Sequence, residues 1–321
     1  MAVYTQVDDE ELIAFLSTYD LGPLLACKGI AEGVENSNYY LHTGAGSFIL
    51  TLYEKRVAEV DLPFFLSLME HLAARGVTCP LPVKNKAGVA LGRLAGRPAA
   101  IITFLDGYSV QHPEAAHCAA LGSALAEFHL AGADFALRRA NALSVDGWRP
   151  LFAPCASRAE EVASGLGALV EAELGHLEAR WPRDLPSGVI HADLFPDNVF
   201  FLGDRISGLI DFYFACTDAY AYDLAICLNA WCFDAEHRYE PEKGAALLDA
   251  YRRRRPLAAE EIAAFPTLAR GAALRFLLTR YVDWLNVPPG ALVRPKDPRE
   301  YLAKLRLHQS AVDARFYGLA S

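Results

Sequence analysis

Two carboxylates and one amide, close together in the chain, are the residues best suited to chemistry. Asp193 lies five residues before Asn198, on a segment that Pro196 stiffens. An apolar run follows Asn198, then Gly203-Asp204, then a second apolar run that ends at Asp211. Two apolar runs on either side of a Gly-Asp turn predict a β-hairpin. The hairpin would bring Asn198 opposite Asp211, within a residue of register.

These three side chains suit phosphoryl transfer. An amide oxygen beside a carboxylate is a good ligand pair for Mg²⁺, which prefers hard oxygen ligands and completes its shell with water and substrate phosphates. A carboxylate at Asp193 could accept the proton of an incoming hydroxyl while the metal holds the phosphates. We therefore expect Asp193 to be the catalytic base, and Asn198 and Asp211 to bind Mg²⁺.

The elements around these residues predict an α+β fold in two parts. The first part has an N-terminal helix capped by Asp8 and then short β-like pieces between Ala26 and Thr51. After one more strand, Ala99 to Leu105, a linker is expected at Asp106-Gly107. The remainder is mostly helical, with predicted helices at 113–131, 157–180, 222–233, 242–254, 259–285 and 298–317. The predicted lobes are a small antiparallel-sheet N-lobe, 1–105, and a larger helical C-lobe, 106–321.

The composition excludes several classes of protein. The 321 residues carry a net charge of -9, which argues against a nucleic-acid or anionic-membrane partner. Seven cysteines without a C-x-x-C pair argue against a zinc site and a disulfide framework. No signal-peptide layout opens the chain, and no apolar stretch is judged long enough to cross a membrane. We expect a cytoplasmic protein, monomer or homodimer.

The order of the motifs resembles the aminoglycoside phosphotransferase and choline kinase superfamily. His191-x-Asp193-x-x-x-x-Asn198 followed by Ile210-Asp211-Phe212 is similar to its catalytic loop and metal-binding Asp, and Tyr222-Asp223-Leu224-Ala225 to the start of its next helix. A helix with Leu121-Gly122 and His129 is a further match. The resemblance implies a protein kinase-like two-lobed fold, with ATP and Mg²⁺ as cofactors. His191 is expected to support the loop backbone and Asp223 to anchor the following helix, while Asp197 is interpreted as a solvated loop residue.

The resemblance also implies where the nucleotide binds. No G-x-x-x-x-G-K-[ST] loop is present, so the backbone of residues 29–38, including Asn36, Ser37 and Asn38, is the candidate phosphate-binding segment. The adenine would meet the backbone between Thr103 and Leu105. Most relatives carry a cation where this chain has Thr51, and the glutamate that pairs with that cation aligns with Phe65. Lys55 or Arg56 is the candidate replacement.

Four further segments resemble the homoserine kinase branch of the superfamily: 50–56, 141–148, 212–216 and 228–233. This resemblance implies a small amino-acid substrate, L-homoserine, phosphorylated on its side-chain hydroxyl. Other alcohols remain alternatives, among them choline, an aminoglycoside, methylthioribose and a fructosamine. A nucleotide-sensing protein without catalysis is also possible, because the lysine and glutamate are both missing. The candidate substrate contacts are Tyr213, Asp218, Asn229, Trp231, Arg275 and Arg280.

Overall fold

The computed structural model describes residues 5–30, 36–54, 57–287 and 295–319. The chain divides into two compact units, the first formed by Met1–Gly107 with Ser207–Tyr213 and the second by Tyr108–Ile206 with Phe214–Ser321. The predicted boundary after residue 105 falls two residues before the first break. The return of residues 207–213 to the first unit was not predicted.

The first unit is built on a five-stranded antiparallel sheet with the order β1-β2-β3-β5-β4. Its elements are helix α1 (Asp9–Leu16), strands β1 (Leu24–Gly29), β2 (Ser37–Thr43) and β3 (Gly46–Leu52), helix α2 (Leu62–Ala73), and strands β4 (Leu91–Leu94) and β5 (Arg97–Thr103). The Asp8 side chain accepts a hydrogen bond from the Glu10 backbone N–H, so the predicted N-cap of α1 is confirmed.

Apolar side chains at alternate positions of the strands form the buried face of this sheet. Leu41 in β2, Leu50 in β3 and Ile101 in β5 are fully buried and belong to one cluster. Leu12 and Leu16 of α1 complete the same cluster. Side chains two residues apart share a face of a strand, so the short apolar runs suffice to build this core.

The second unit is mostly helical. Its elements are β6 (Tyr108–Ser109), α3 (Ala115–Ala131), α4 (Val145–Phe152), α5 (Leu166–Arg180), β7 (Ser187–Ile190), β8 (Val199–Leu202), β9 (Arg205–Leu209), β10 (Cys216–Ala219), α6 (Tyr220–Trp231), α7 (Pro241–Arg254), α8 (Ala259–Leu285) and α9 (Pro298–Ser310). The strand orders are β6-β8-β9 and β10-β7. The last three residues of β9 belong to the first unit. The predicted α+β class is therefore confirmed.

Two of the predicted helices are shorter than expected. The predicted helix 157–180 begins only at Leu166, because Gly165 has a left-handed backbone (φ 73°) and separates α5 from a 3-10 segment, Ala153–Glu161. The predicted helix 298–317 ends at Ser310. A separate 3-10 turn, Ala314–Tyr317, follows, capped by the Asp313 side chain.

Helix α8 is the central helix of the second unit. It packs against α4, α5, α6 and α9. By length and composition alone it could cross a membrane, which corrects the expectation that no apolar segment is long enough. Of its apolar window, 61% is buried inside the protein, as in a core helix, so this composition is weak evidence for a membrane span.

Candidate active site

The loop after β7 holds the predicted base. Asp193 is half-buried, and Asn198 closes a 3-10 turn that begins at Pro196. The Asn198 Nδ2 donates to the backbone oxygen of Asp193 at 2.8 Å and to its carboxylate Oδ2 at 3.2 Å. With its nitrogen turned to Asp193, the Asn198 side chain presents its amide oxygen elsewhere. That oxygen is the kind of hard ligand that suits Mg²⁺.

The residue before Asp193 has an unusual backbone. Ala192 is left-handed, with φ 64°, a conformation that costs free energy for a residue with a Cβ. The Asp223 carboxylate compensates by accepting the backbone N–H groups of His191 at 2.7 Å and Ala192 at 2.8 Å. Asp223 lies in the first turn of α6 and is fully buried. It therefore anchors the loop that carries Asp193, whereas the sequence suggested only an anchor for its own helix.

A buried histidine completes this anchor. His129 Nε2 lies 3.1 Å from Asp223 Oδ2, and His129 Nδ1 lies 2.7 Å from the Tyr251 hydroxyl. Burial alone would raise the pKa of Asp223, but the hydrogen bond from His129 and the loop N–H groups outweigh it and lower that pKa. Burial lowers the pKa of His129. A charged Asp223 beside a neutral His129 that donates through Nε2 satisfies every contact in the network.

A buried arginine holds Ala192 from the other side. Arg275 is only 1% exposed, and its Nη1 donates to the Ala192 carbonyl oxygen at 2.6 Å. The guanidinium also lies 4.5 Å from the Phe276 ring centroid and 5.7 Å from that of Phe214. Such an enclosed group positions the loop. The expectation that Arg275 contacts substrate is therefore replaced by a positioning role.

Three other predicted substrate residues are engaged within the protein. Asn229 donates to the backbone oxygens of Ala225 and Ala269, at 3.0 Å each. Trp231 donates its indole N–H to the Leu194 carbonyl at 2.7 Å. Arg280, 8% exposed, donates to the Glu300 carboxylate. We correct the expectation for all three: Asn229 links helices α6 and α8, Trp231 supports the loop, and Arg280 forms an ion pair with α9.

Asp218 lies in a different environment. It is half-buried and accepts a hydrogen bond from Asn141 Nδ2 at 2.7 Å. It also borders a cavity of about 220 Å³, whose other lining residues include Arg183, Ser187 and Thr217. Among the predicted substrate residues in the second unit, Asp218 is the one that borders this cavity.

The first unit carries the remaining predicted groups near Asp211. Asp211 is exposed and left-handed, with φ 64°. Surrounding protein atoms raise the pKa of its carboxyl group, and the Tyr213 backbone N–H lowers it. We expect this rise to be modest, because an exposed carboxylate keeps much of its hydration. The Tyr213 hydroxyl lies 3.3 Å from that of Tyr53, and burial raises the pKa of Tyr213 to about 12.

Thr51 and Phe65, at the positions where relatives are expected to carry an ion pair, make other contacts. Thr51 donates its hydroxyl to Asn38 Oδ1 at 2.8 Å, and Phe65 packs edge-on against the Tyr213 ring at 5.7 Å. A hydrogen bond and an aromatic contact thus occupy the places where relatives are expected to carry a cation and its glutamate. Lys55 lies outside the described residues.

An acidic residue that the sequence did not single out organises the predicted nucleotide segment. Glu54 accepts the Ser37 hydroxyl at 2.8 Å and pairs with Arg97 at 3.1 Å. Its backbone N–H donates to Asn36 Oδ1 at 3.2 Å. The Asn36 and Ser37 side chains are therefore directed at Glu54, which leaves backbone amides as the phosphate-binding groups expected of this segment.

The predicted adenine region is ordered by local contacts. Thr103 Oγ1 accepts the Leu81 backbone N–H at 2.9 Å. Leu105 packs on Gly208, where a Cβ would come within 2.5 Å of the leucine Cδ1. A larger residue at 208 would require the end of the Leu105 side chain to shift.

A family comparison assigns the chain to a known family. The model of the phosphotransferase enzyme family matches residues 26–257. The chain belongs to this family and is a phosphotransferase. This membership confirms the superfamily resemblance drawn from Asp193, Asn198 and Asp211.

Two curated relatives that match almost the whole chain share one name. A homoserine kinase of Methylobacterium sp. (strain 4-46) is 66% identical over 318 residues, covering 99% of each chain. A homoserine kinase of Bradyrhizobium diazoefficiens is 68% identical over 320 residues, covering 99% of this chain and 98% of its own.

Solved structures share the fold at low identity. An amicoumacin kinase, solved in complex with AMP-PNP and Ca²⁺, has a TM-score of 0.69 at 17% identity, covering 96% of this chain and 95% of its own. A microcompartment-associated aminopropanol kinase has a TM-score of 0.66 at 18% identity, covering 98% and 99%. The predicted kinase-like fold is confirmed.

Proposed function

We propose that this phosphotransferase transfers the γ-phosphoryl group of ATP to the side-chain hydroxyl of L-homoserine, in the cytoplasm, as a step of threonine biosynthesis. Full-length relatives named homoserine kinase at 64–68% identity support the substrate. The observation that carries the chemistry is the loop around Asp193. Asn198, Asp223 and Arg275 fix this loop with hydrogen bonds of 2.6 to 3.2 Å.

Asp193 acts as the base in this proposal. It accepts the proton of the substrate hydroxyl as that oxygen attacks the γ-phosphorus in line with the leaving oxygen. Asn198 Nδ2 donates to the Asp193 backbone oxygen and to its carboxylate Oδ2, and the second bond orients the carboxylate before the substrate binds. A base that is already oriented avoids the loss of conformational entropy during reaction.

The residues that would hold Mg²⁺ are Asn198, through its amide oxygen, and Asp211. Hard oxygen donors are the ligands this ion requires, and the bound ion would neutralise charge on the phosphates. The nucleotide phosphates would meet backbone amides near Asn36 to Asn38, and the adenine the backbone from Thr103 to Leu105. Thr51 belongs to the nucleotide part of the proposed site, Tyr213 remains a candidate substrate contact, and Lys55, the candidate cation, lies outside the described residues.

Replacing the base tests the chemistry. Asp193→Ala should lower kcat by at least about 10²- to 10⁴-fold, which is the usual contribution of a general base. ATP affinity, measured by calorimetry with Mg²⁺, should change little because the alanine leaves the metal ligands in place. Asp204→Asn is the matched control, since Asp204 is an exposed carboxylate in the β8–β9 turn. Equal kcat values for Asp193→Ala and the unsubstituted protein would contradict the proposal.

An acceptor panel tests the substrate. ADP formation should depend on L-homoserine and be weak with choline, an aminoglycoside, methylthioribose or a fructosamine. Strong turnover of choline with none of homoserine would assign another kinase of this fold. Binding of Mg²⁺-ATP without transfer to any acceptor would favour a nucleotide-sensing protein.

A further inference from the structure

A lysine that the sequence did not single out lies against the catalytic loop. Lys296 precedes α9, and its Nζ lies 3.1 Å from Asp197 Oδ2. The same ammonium lies 5.3 Å from the Phe195 ring centroid. Both charged side chains are open to solvent, 59% exposed for Lys296 and 62% for Asp197. Lys296 is therefore a solvent-accessible cation that lies against the loop carrying Asp197.

The loop residues it contacts are neighbours of the catalytic groups. The Phe195 backbone N–H donates to the Asp193 carbonyl oxygen at 2.8 Å. Asp197 directly precedes Asn198 in the 3-10 turn. Lys296 thus contacts Phe195 and Asp197, which are bonded to or adjacent to the two residues, Asp193 and Asn198, where the acceptor hydroxyl and the metal are proposed to bind.

The proposed substrate needs such a cation. Homoserine carries an α-carboxylate, and a carboxylate removed from water requires a positive or hydrogen-bonding partner. Arg275 is enclosed and donates to Ala192, while Arg280 is bound to Glu300. Neither guanidinium can be reached without taking apart a buried contact. Lys296 lies over the Phe195 ring and is paired with Asp197 in an exposed ion pair, which contributes little and is readily exchanged.

We propose that Lys296 binds the α-carboxylate of the amino-acid substrate, releasing Asp197 as it does so, and that this contact selects an amino acid over an amino alcohol. The assignment rests on the proposed function, whose substrate it explains. The flexible four-carbon stem of lysine lets the ammonium move from one carboxylate to another without a fixed geometry. The proposal deepens the substrate assignment by naming the residue that recognises its charge.

The test compares two acceptors that differ in the carboxylate alone. L-Homoserine and 3-amino-1-propanol share the amine and the terminal hydroxyl, and the second lacks the carboxylate. Lys296→Met should lower kcat/KM for homoserine by about 10- to 100-fold, mostly through KM, because a charge-assisted hydrogen bond is lost. For the amino alcohol, the KM or competitive inhibition constant of Lys296→Met should stay within about threefold of the value for the unsubstituted protein. The KM for ATP should also stay within about threefold.

Two control variants separate recognition from support of the loop. Lys296→Arg keeps the charge and should retain most homoserine turnover. Asp197→Asn removes the ion pair and leaves the ammonium, so homoserine kcat/KM should stay within about threefold if the pair itself is worth little. If Asp197→Asn lowered kcat/KM for homoserine as much as Lys296→Met does, the ion pair would serve to stabilise the loop, and the proposal would be overturned.

The remaining outcomes also decide between roles. Equal losses for both acceptors in Lys296→Met, or a raised KM for ATP, would show that Lys296 serves the phosphates or the loop. Absence of homoserine turnover in the unsubstituted protein would contradict the proposed function itself and this assignment with it. Homoserine turnover with an unaffected Lys296→Met variant would overturn the assignment alone.

Discussion

His308 shows at the residue scale how burial sets protonation in the second unit. Its Nε2 lies 3.0 Å from Asn229 Oδ1 and its Nδ1 lies 2.8 Å from the Tyr317 hydroxyl. Burial, together with the nearby charge of Lys304, lowers the pKa of His308 to about 3. The neutral ring can donate to Asn229 Oδ1 and accept from the Tyr317 hydroxyl, so both ring nitrogens have partners without a charge on the ring.

This shift predicts a loss of stability in acid. An unfolded chain protonates His308 near pH 6.5, whereas the folded protein does so only near pH 3. Between these values the unfolded state binds more protons, so stability falls as the pH decreases through this window and is fully present above it. From pH 7 to pH 5 this histidine should account for a loss of about 2 kcal/mol in the free energy of unfolding.

Urea unfolding at both pH values measures this contribution. His308→Gln cannot take up the proton, so its stability should depend less on pH than that of the unsubstituted protein. His112→Gln is the matched control, because His112 is exposed and its replacement should leave the pH dependence unchanged. Identical pH dependence in all three proteins would show that His308 is not held neutral by the fold.

Residue type and spacing were enough to select the catalytic candidates, but not the residues that support them. Asp193, Asn198 and Asp211 lie close together in the sequence, and local turn signals relate them. Arg275 reaches the loop across 83 residues, and His129 reaches Asp223 across 94. Such contacts depend on helix packing, which a single sequence does not specify. From the sequence, the positive charge of Arg275 therefore suggested only that it binds substrate.

At the scale of elements, α3 and α7 approach each other closely at a glycine. A Cβ on Gly122 would lie 2.2 Å from the Leu247 carbonyl oxygen and 3.1 Å from the Tyr251 nitrogen. Tyr251 on α7 in turn holds His129 on α3. The separation of these two helices therefore determines whether the Tyr251 hydroxyl reaches His129, whose other ring nitrogen contacts Asp223.

Gly122→Ala should push the helices apart. Overpacking of this kind costs about 1–3 kcal/mol, and backbone atoms opposite the new methyl group cannot turn away as a side chain would. We expect a lower unfolding free energy in urea and a lower kcat, because the His129–Asp223 contact is displaced.

Gly175→Ala in α5 is the matched helical control. Nothing lies within 4 Å of the added methyl group there, so the change should stabilise the protein by about 0.5–1 kcal/mol through helix propensity. If Gly122→Ala were as stable as Gly175→Ala, the close packing of α3 and α7 would be contradicted.

A long periodic helix and a short hairpin marked by its turn were predictable, whereas the pairing of two short distant strands was not. Helix α8 has the predicted ends, Ala259 and Leu285, because its apolar positions extend over many turns. Strands β7 and β10 have four residues each and pair with each other, Ile190 opposite Cys216. Four residues give too little alternation to predict a strand, and the partner lies far along the chain. This pairing nonetheless fixes the start of the catalytic loop.

For the molecule as a whole, charge is the main constraint on binding. In our proposal, a chain with a net charge of -9 binds ATP and a second anionic group. Thr51 occupies the position of the expected phosphate-binding cation, and its hydroxyl donates a hydrogen bond to Asn38. Nucleotide binding should therefore depend strongly on the divalent cation, because the ion supplies positive charge that the chain lacks at that position.

Thermal unfolding with and without the metal tests this dependence. At about 100 times the dissociation constant, Mg²⁺-ATP should stabilise the protein by about 2.7 kcal/mol, a rise in Tm of several degrees, whereas ATP with EDTA should give little or none. Asp211→Asn should lose most of the metal-dependent rise, because a neutral amide replaces a charged ligand. Asp204→Asn should keep it, since Asp204 lies in an exposed turn. An equal Tm rise with ATP in Mg²⁺ and in EDTA would mean that protein groups alone neutralise the phosphates, and Asp211 would then need another role.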